Sequence, residues 1–347
     1  MFDQVFSGML GVFSHDLAVD MGTAYTRVAV HGRGVACHEP SAVAVRYDRD
    51  GQRRLVAVGG EAQKMLGRTP ADMLAIRPLQ GGVISDFELA EVLLAHLLRV
   101  AAGGHPVFSP QVVLCVPFNI TEVERRALRE SAEAAGARRV HLLSTSVASA
   151  IGADLPITRP FGSMVVDLGA GTTDISVLSM GEVVYSRALD IGGDAIDQAI
   201  TDWMREVKGL LIGQTTAEFV KLSVGSAEPY KDEGEVEVRG RSLSTGFPAA
   251  VTVRAGEVRE AIDASILLIV QAIVAALDRT PPELAGDILD RGVVLTGNGA
   301  KLRRLEHRLR SATRLPVVTA PNPGEAAVLG ASRSLNKKGR LLHALTA

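Results

Sequence analysis

The chain has 347 residues, with 37 Lys and Arg against 39 Asp and Glu, a formal net charge of −2 at pH 7. Hydrophobic residues make up 47% and charged residues 22%, a globular composition that excludes a disordered or fibrous chain. The near-neutral balance argues against nucleic acid as a partner, because a dedicated binder carries a basic footprint, and the length is that of two domains or one large one.

At the N-terminus, Met1-Phe2-Asp3-Gln4 lacks the basic start of a signal peptide. Phe2, Val5, Phe6, Met9, Leu10 and Phe13 repeat at the spacing of one helical face, so an amphipathic helix is expected, lying on a membrane surface or in a protein groove. Its polar face, Asp3, Gln4 and Ser7, offers no basic residue to anionic lipid. Residues 17–30 read as an apolar strand ending in Asp20, a small-residue turn, and a second β-rich strand. Residues 86–100 have helical periodicity, 103–110 form a turn-rich loop presenting Val107 and Phe108, and 111–117 are an apolar strand closed by proline. Thr121 followed by Glu124 marks the capped start of a helix running to 137.

Residues 165–178 repeat the form of 17–30, with Asp167 in the place of Asp20. A repeat at domain-sized separation implies two related lobes, and the alternation of strands and helices implies α/β layers. Gly192-Gly193-Asp194 opens a helix through Trp203, and the polar, alternating stretch 226–253 reads as an exposed β ribbon in an inserted subdomain. The longest apolar run, 264–277, is shorter than the ~20 residues of a bilayer span and is broken by Gln271, so it reads as a buried helix. After Pro281-Pro282, strand 293–295 leads into Thr296-Gly297-Asn298-Gly299-Ala300 and a basic helix, 301–310, expected to be a solvated face. Cys37 and Cys115 lack the spacing of a disulfide framework or a zinc site, and a reducing, cytoplasmic setting is the simplest reading.

A strand-Asp-Gly-Thr hairpin suits a nucleotide polyphosphate. Glycines let the turn approach the phosphates, turn N–H groups and Thr hydroxyls donate to anionic oxygens, and the strand-end carboxylate can hold Mg²⁺ through water. Two such hairpins would clasp the phosphates from both sides of an interdomain cleft, and 296–300 would let a planar adenine slide along bare backbone. Neither a Rossmann fingerprint in context nor a P-loop is present.

The segments DMGTAYTRVAV, VVDLGAGTTDISVL and VVLTGNGAKL resemble the phosphate-1, phosphate-2 and adenosine motifs of the actin, sugar kinase and heat-shock chaperone superfamily. Within it the chain resembles the MreB family of bacterial actins over about residues 10–335, through stretches such as AIRPLQGGVISDFE, TEVERRALRESAEAAGAR, TPPELAGDILDRGVVLTG and EAAVLGASRSL. The resemblance implies an α/β, actin-like two-lobed fold of duplicated ribonuclease H-like domains with smaller inserted subdomains. It implies an N-terminal segment 1–15, a lobe I core of 16–35, 80–155 and 325–347 with insertion 36–79, and a lobe II core of 156–188 and 252–324 with insertion 189–251.

It further implies ATP and Mg²⁺ as cofactors. Gly22, Thr23 and Ala24 match the first phosphate loop, and Gly169, Ala170, Gly171, Thr172 and Thr173 the second, with Gly193 beside it. Asp20 and Asp167 face Mg²⁺ through water; Glu218 and Lys221 take the ribose and base, unless they are simply a solvated helical pair; Gly297, Asn298, Gly299 and Ala300 hold the adenosine. The implied activity is that of filaments, self-associated and peripheral on the inner face of the cell membrane, that direct cell-wall synthesis and rod shape. Cell-wall elongation membrane proteins and an MreB paralog are the further partners implied. Phe2, Val5, Phe6, Met9, Leu10, Phe13, Val107 and Phe108 are the membrane candidates.

Three departures stand out. The family usually has Ile-Glu-Glu-Pro where this chain has Leu143-Ser144-Thr145-Ser146, and the first of those glutamates positions the attacking water, so hydrolysis is expected to be weak or lost at Ser144. Tyr25 replaces a small polar residue and would crowd the γ-phosphate side, and Asn298 replaces a glycine, a milder change because Asn tolerates left-handed geometry. Two other readings stay open: a hydrolysis-impaired paralog that copolymerises with or regulates an active MreB, and a small-molecule kinase of the same fold, for which no catalytic carboxylate can be nominated.

Overall fold

The computed structural model describes residues 16–103 and 109–335. The expected helix carrying Phe2, Val5, Phe6, Met9, Leu10 and Phe13, and the loop residues Val107 and Phe108, lie outside the described residues. The chain divides into two units, the first of residues 16–159, 180–182 and 325–335 among those described, the second of Pro160–Ser179 and Val183–Gly324.

Unit 1 is built on strands β1 (Leu17–Met21), β2 (Tyr25–Val30) and β3 (Gly34–Pro40). A second, three-stranded sheet holds β4 (Val43–Tyr47), β5 (Arg53–Val58) and β6 (Met73–Ile76), with α1 (Gly60–Met65) between the last two. A short ribbon, β7 (Leu79–Gln80) and β8 (Val83–Ile84), precedes α2 (Phe87–Ala101). Then follow β9 (Gln111–Val116), α3 (Glu122–Ala134), β10 (Arg139–Ser144) and α4 (Thr145–Gly152). The main sheet has the order β10-β9-β1-β2-β3, parallel from β10 to β1 and antiparallel from β1 to β3.

Helix α2 forms because Asp86 accepts the Leu89 N–H at 3.1 Å and because Leu89, Leu93, Leu94 and Leu97 bury one face. Helix α3 carries the expected capping box: Thr121 Oγ1 accepts the Glu124 N–H at 3.3 Å, and the Glu124 carboxylate accepts the Thr121 N–H at 2.9 Å. It ends at Ala134 rather than at 137, because Gly136 turns to φ +104°. Thr121→Ala should cost about 1 kcal/mol, the usual loss for an N-cap, read as a lower urea midpoint with an unchanged slope.

The last described helix, α10 (Ala326–Ser334), returns to unit 1 and crosses α4 at two glycines. A Cβ at Gly152 would lie 1.9 Å from the Ala326 carbonyl oxygen, and one at Gly330 would lie 1.8 Å from that of Ala148. The backbones touch there with no room for a side chain.

Unit 2 repeats the plan. Strands β11 (Ser163–Leu168), β12 (Thr173–Ser179) and β13 (Glu182–Leu189) lead to α5 (Gly193–Val207), β14 (Leu210–Leu211) and α6 (Gln214–Val224). A ribbon of β15 (Glu235–Ser242) and β16 (Pro248–Arg254) precedes α7 (Ala255–Asp278) and α8 (Pro282–Arg291). The chain continues with β17 (Val293–Thr296), a 3₁₀ turn at Asn298–Lys301, α9 (Leu305–Thr313), β18 (Val317–Thr319) and α10 (Ala326–Ser334). The main sheet, β13-β12-β11-β17-β18, has the strand plan of unit 1: a three-strand meander, then two strands added in parallel at its first edge. The duplication is therefore structural as well as sequential.

Two expectations need correction. The apolar run 264–277 is the end of a 24-residue helix that starts at Ala255, and it is only half buried. Ile262, Ile266, Ile269 and Ile273 face the core of unit 2, while Leu267, Leu268 and Val274 are exposed. By length and composition α7 could cross a bilayer, yet this isoleucine stripe packs into the protein. The basic helix starts at Leu305, not 301, since Arg304 adopts φ +63° and breaks it from the preceding 3₁₀ turn. Its face is partly paired: Arg308 meets Asp263 at 3.2 Å and Arg310 donates to the Val317 carbonyl at 2.9 Å.

Candidate functional site

In unit 1 the turn between β1 and β2 is braced from beneath. The Gly22 N–H donates to the Tyr25 carbonyl at 3.1 Å, and a Cβ at Gly22 would lie 2.8 Å from that oxygen, so only glycine fits. Ser41 Oγ donates to the Gly22 carbonyl at 2.6 Å, its N–H reaches the Ala24 carbonyl at 2.9 Å, and Thr26 Oγ1 lies 2.8 Å from Ser41 Oγ. Thr23, buried, accepts the Gly82 N–H at 3.3 Å. Tyr25 is half-buried and packs edge-on against His38, ring centroids 4.9 Å apart.

Asp20, at the end of β1, stands directly opposite Arg27 on β2. The two side chains are 16% and 8% exposed, with Arg27 Nη1 3.8 Å from Asp20 Oδ2. Arg27 was not singled out in the sequence, although a lone cation followed by Val28, Ala29 and Val30 is a visible irregularity in a buried strand. Ser144 closes β10 and precedes α4; its Oγ is buried without a hydrogen-bond partner and does not cap the helix.

In unit 2 four loops interlock. The Gly169 N–H donates to the Thr172 carbonyl at 2.8 Å, and the N–H groups of Gly193 and Asp194, at the start of α5, donate to the carbonyls of Gly169 and Ala170 at 3.0 and 2.8 Å. A Cβ at Gly192 would lie 2.4 Å from the Ala170 carbonyl oxygen, so α5 can dock here only on a bare backbone. Gly297 has φ +77°, a Cβ there would lie 2.2 Å from the Leu168 carbonyl oxygen, and its N–H donates to the Pro323 carbonyl at 2.7 Å. Gly169, Ala170, Gly171, Gly193, Gly297, Asn298 and Gly299 are thus brought together around the ends of β11 and β17.

Some expected ligand residues turn inward. Thr173 is fully buried and gives its hydroxyl proton to the Ile191 carbonyl at 2.6 Å, so it braces the loop instead of facing a phosphate. Ala300 is buried in the core of unit 2, behind the turn at Gly297. Asn298 needs no left-handed tolerance, because the left-handed residue of its loop is Gly297. Lys221 is not a solvated partner of Glu218: its Nζ lies 2.8 and 2.9 Å from the two carboxylate oxygens of Asp197 and donates to the Gly193 carbonyl at 3.0 Å. Lys221 and Asp197 are 13% and 3% exposed at their side chains, so this pair locks α6 to the start of α5, with the half-buried Glu218 adding negative charge nearby. Asp197 was missed by sequence reading; its signal is an acid on the buried stripe of α5, between Ile196 and Ile200.

Asp167 stands directly opposite Asp174. Burial first, and then the Asp167 charge, push Asp174 up to about 6, against a 3.0 Å hydrogen bond donated by Thr172. Burial likewise pushes Asp197 up to about 6, against the pull of Lys221. A carboxyl whose folded value is raised binds more protons folded than unfolded between its ordinary range and about 6. Its stabilising contribution is therefore full below that range and is lost as pH rises through about 6. Asp174→Asn should accordingly melt higher than the wild type at about pH 7.5, with the gap closing by about pH 4. Melting curves at both values check this, and a gap of equal size at both contradicts it.

A family profile described as MreB/Mbl protein matches residues 14–343. The chain is 48% identical over 327 residues to the cell shape-determining protein MreB of Escherichia coli K12, covering 94% of each chain. It is 41% identical over 330 residues to the cell shape-determining protein Mbl of Bacillus subtilis, covering 95% of this chain and 98% of that one. Among solved structures it is similar to MreB5 of Spiroplasma citri, crystallised with ADP and with AMPPNP, at TM-score 0.86 and 32% identity over 91% of this chain and 94% of that one. The MamK double helical filament shares the fold at TM-score 0.78 and 24% identity, over 93% of this chain and 100% of that one.

Proposed function

The chain belongs to the MreB/Mbl family, and from that premise we propose that it binds ATP, assembles with copies of itself into filaments, and acts on bacterial cell shape. The observation that carries the reading is the interlocked set of bare-backbone loops in unit 2, where Gly192 and Gly297 exclude any side chain and leave glycine turns for an anionic, planar ligand. The relatives named as cell shape-determining proteins, and the MreB5 structures with ADP and AMPPNP, support the same reading.

Mg²⁺ would accompany the nucleotide and screen its phosphate charge. Among the described residues no group of three or more His, Cys, Asp or Glu side chains is placed to hold a metal ion, so the ion would be held largely by water and phosphate. The two strand-end acids differ in fitness for it. Asp167 faces a second acid, a pairing a cation relieves, whereas Asp20 faces the Arg27 guanidinium 3.8 Å away, which competes with a cation for the same carboxylate.

Attachment to the inner face of the cell membrane, through Phe2, Val5, Phe6, Met9, Leu10 and Phe13 with Val107 and Phe108, is part of the proposal and rests on sequence pattern alone. Weak single anchors suffice when a filament multiplies them. Ser144 favours a second form of the reading: a paralog that binds ATP without turning it over and copolymerises with an active family member at the sites of cell-wall elongation.

Sedimentation of the purified full chain with ATP, with and without liposomes, tests the proposal. The expected result is ATP-dependent pelleting that increases with liposomes. A chain that stays in the supernatant and binds no nucleotide would refute it.

A further inference from the structure

Three parallel strands of unit 1, β10, β9 and β1, begin side by side: Arg139 stands opposite Gln111, and Leu17 opposite Val112. Asp16 Oδ1 accepts the Gln111 N–H at 3.1 Å, and the Arg138 N–H donates to the Pro110 carbonyl at 2.8 Å, so the segments entering the three strands are tied together. The β2–β3 turn lies at the same end, because the His31 N–H donates to the Asp16 carbonyl at 2.9 Å. Neighbouring strands lie about 4.8 Å apart, so this end spans roughly 15 Å from β10 to β2. The chain enters it from residues 1–15, the segment whose apolar stripe carries no basic residue.

Exposed arginines gather at this end: Arg33 in the turn, Arg138 and Arg139 at the start of β10, and Arg129 on α3. Arg129 belongs to the group because it acts on the same neighbour: His141 is pushed down first by burial and then by the charges of Arg139 and Arg129, against the pull of Asp16. Among the described residues none of these four side chains has an ion-pair or hydrogen-bond partner. Of the acids nearby, Asp16 accepts from Gln111, and Glu130 pairs with Arg126 at 2.7 Å; exposed Glu133, one turn after Arg129, offsets part of the charge. Unpaired guanidinium groups beside an apolar segment fit the phosphate headgroups of an anionic bilayer, since their planar forks match phosphate oxygens. One apolar anchor alone gives marginal membrane binding, whereas an apolar anchor with a basic patch is stable. A nucleic acid would meet the same guanidinium groups, but it gives the apolar stripe nothing to enter.

We propose that Arg33, Arg129, Arg138 and Arg139 form a basic rim that docks on the headgroups of an anionic bilayer and so supplies the charge that the N-terminal stripe lacks. The proposal rests on the membrane-attachment part of the reading above and adds to it a lipid class and the residues that select it.

The test is co-sedimentation of the full chain with vesicles of phosphatidylcholine alone and of phosphatidylcholine and phosphatidylglycerol in equal parts, read as the lipid concentration at half-binding. The wild type should prefer the mixed vesicles, and the preference should shrink as salt is raised. Arg33→Gln, Arg129→Gln, Arg138→Gln and Arg139→Gln together should raise the midpoint on mixed vesicles about tenfold or more, and leave it within about twofold on phosphatidylcholine. The same four changed to lysine should keep the preference, because the charge is kept. Arg205→Gln with Arg241→Gln, exposed arginines of unit 2, is the control for net charge and should stay within about twofold of the wild type. Should the fourfold glutamine variant fail to fold, Arg138→Gln with Arg139→Gln should still raise the mixed-vesicle midpoint about fivefold or more. Glutamine variants that bind mixed vesicles like the wild type, or a control pair that loses as much as they do, overturn the proposal and leave membrane attachment standing. So does loss of DNA-duplex retention without loss of vesicle binding, which would make the rim a nucleic-acid surface. A wild type that binds neither kind of vesicle overturns both.

Discussion

Replacing Ser144 with glutamate is expected to raise ATP turnover by about 10²-fold or more, from a wild-type rate near the protein-free background. Ser144 ends β10, and its hydroxyl is buried with no partner, so nothing activates it as a base. It is also too short to reach a water that a glutamate would position from the same backbone. A missing water-positioning or general-base group typically costs 10²–10⁴-fold, and this is the gap the substitution would partly recover. The residue as a whole is half-buried, although its hydroxyl is not accessible. Phosphate release from the full chain under filament-forming conditions, beside Ser144→Ala as the neutral control, measures it. Ordinary family-level hydrolysis by the wild type, with no gain from glutamate, would remove the argument from this position.

The largest structural effect should come from Gly330→Ala, which adds a single methyl group where α10 crosses α4. The new carbon would lie 1.8 Å from the Ala148 carbonyl oxygen and 2.7 Å from the Gly152 nitrogen, both backbone atoms that cannot rotate away. Over-packing a rigid contact costs roughly 1–3 kcal/mol, and with backbone on both sides the upper end, about 3 kcal/mol, is expected. In a unit of this size that lowers the melting temperature by roughly 6–12 °C. Because α4 begins immediately after Ser144, the displaced helix should also disturb the Ser144 position. Gly286→Ala is the matched control. It lies on exposed α8 with open space around it, and there the better helix former should stabilise by up to about 1 kcal/mol.

The fold was legible wherever the chemistry is local. The two hairpins announce themselves by apolar strands meeting small-residue turns, and the start of α3 by Thr121 and Glu124, which satisfy each other within one helical turn. Helix ends read less well: Gly136 and Arg304 set them through backbone conformation, and an arginine at positive φ has no compositional signal. The site divides in the same way. The glycines of the two motifs in unit 2 are found where its loops meet, and Gly22 sits in the tight turn of unit 1, because a bare backbone is a property of the residue itself. What each polar side chain does depends on its partner. Thr173 gives its hydroxyl to Ile191, Lys221 pairs with Asp197 on another helix, and Arg27 faces Asp20 across a hairpin register that only the folded strands define.

The route of the chain through its two units has a consequence for biosynthesis. Apart from residues 180–182, everything from Pro160 to Gly324 belongs to unit 2, so that unit is complete in the nascent chain once Gly324 has emerged. Unit 1 begins earlier but still lacks α10, the helix that seals α4 through Gly152 and Gly330. The half of the molecule made first is thus finished last, and until then the α4 backbone that α10 will meet at Gly152 stays uncovered. A ribosome pausing late in the message would hold a folded second unit beside an open first one, the state a holding chaperone recognises.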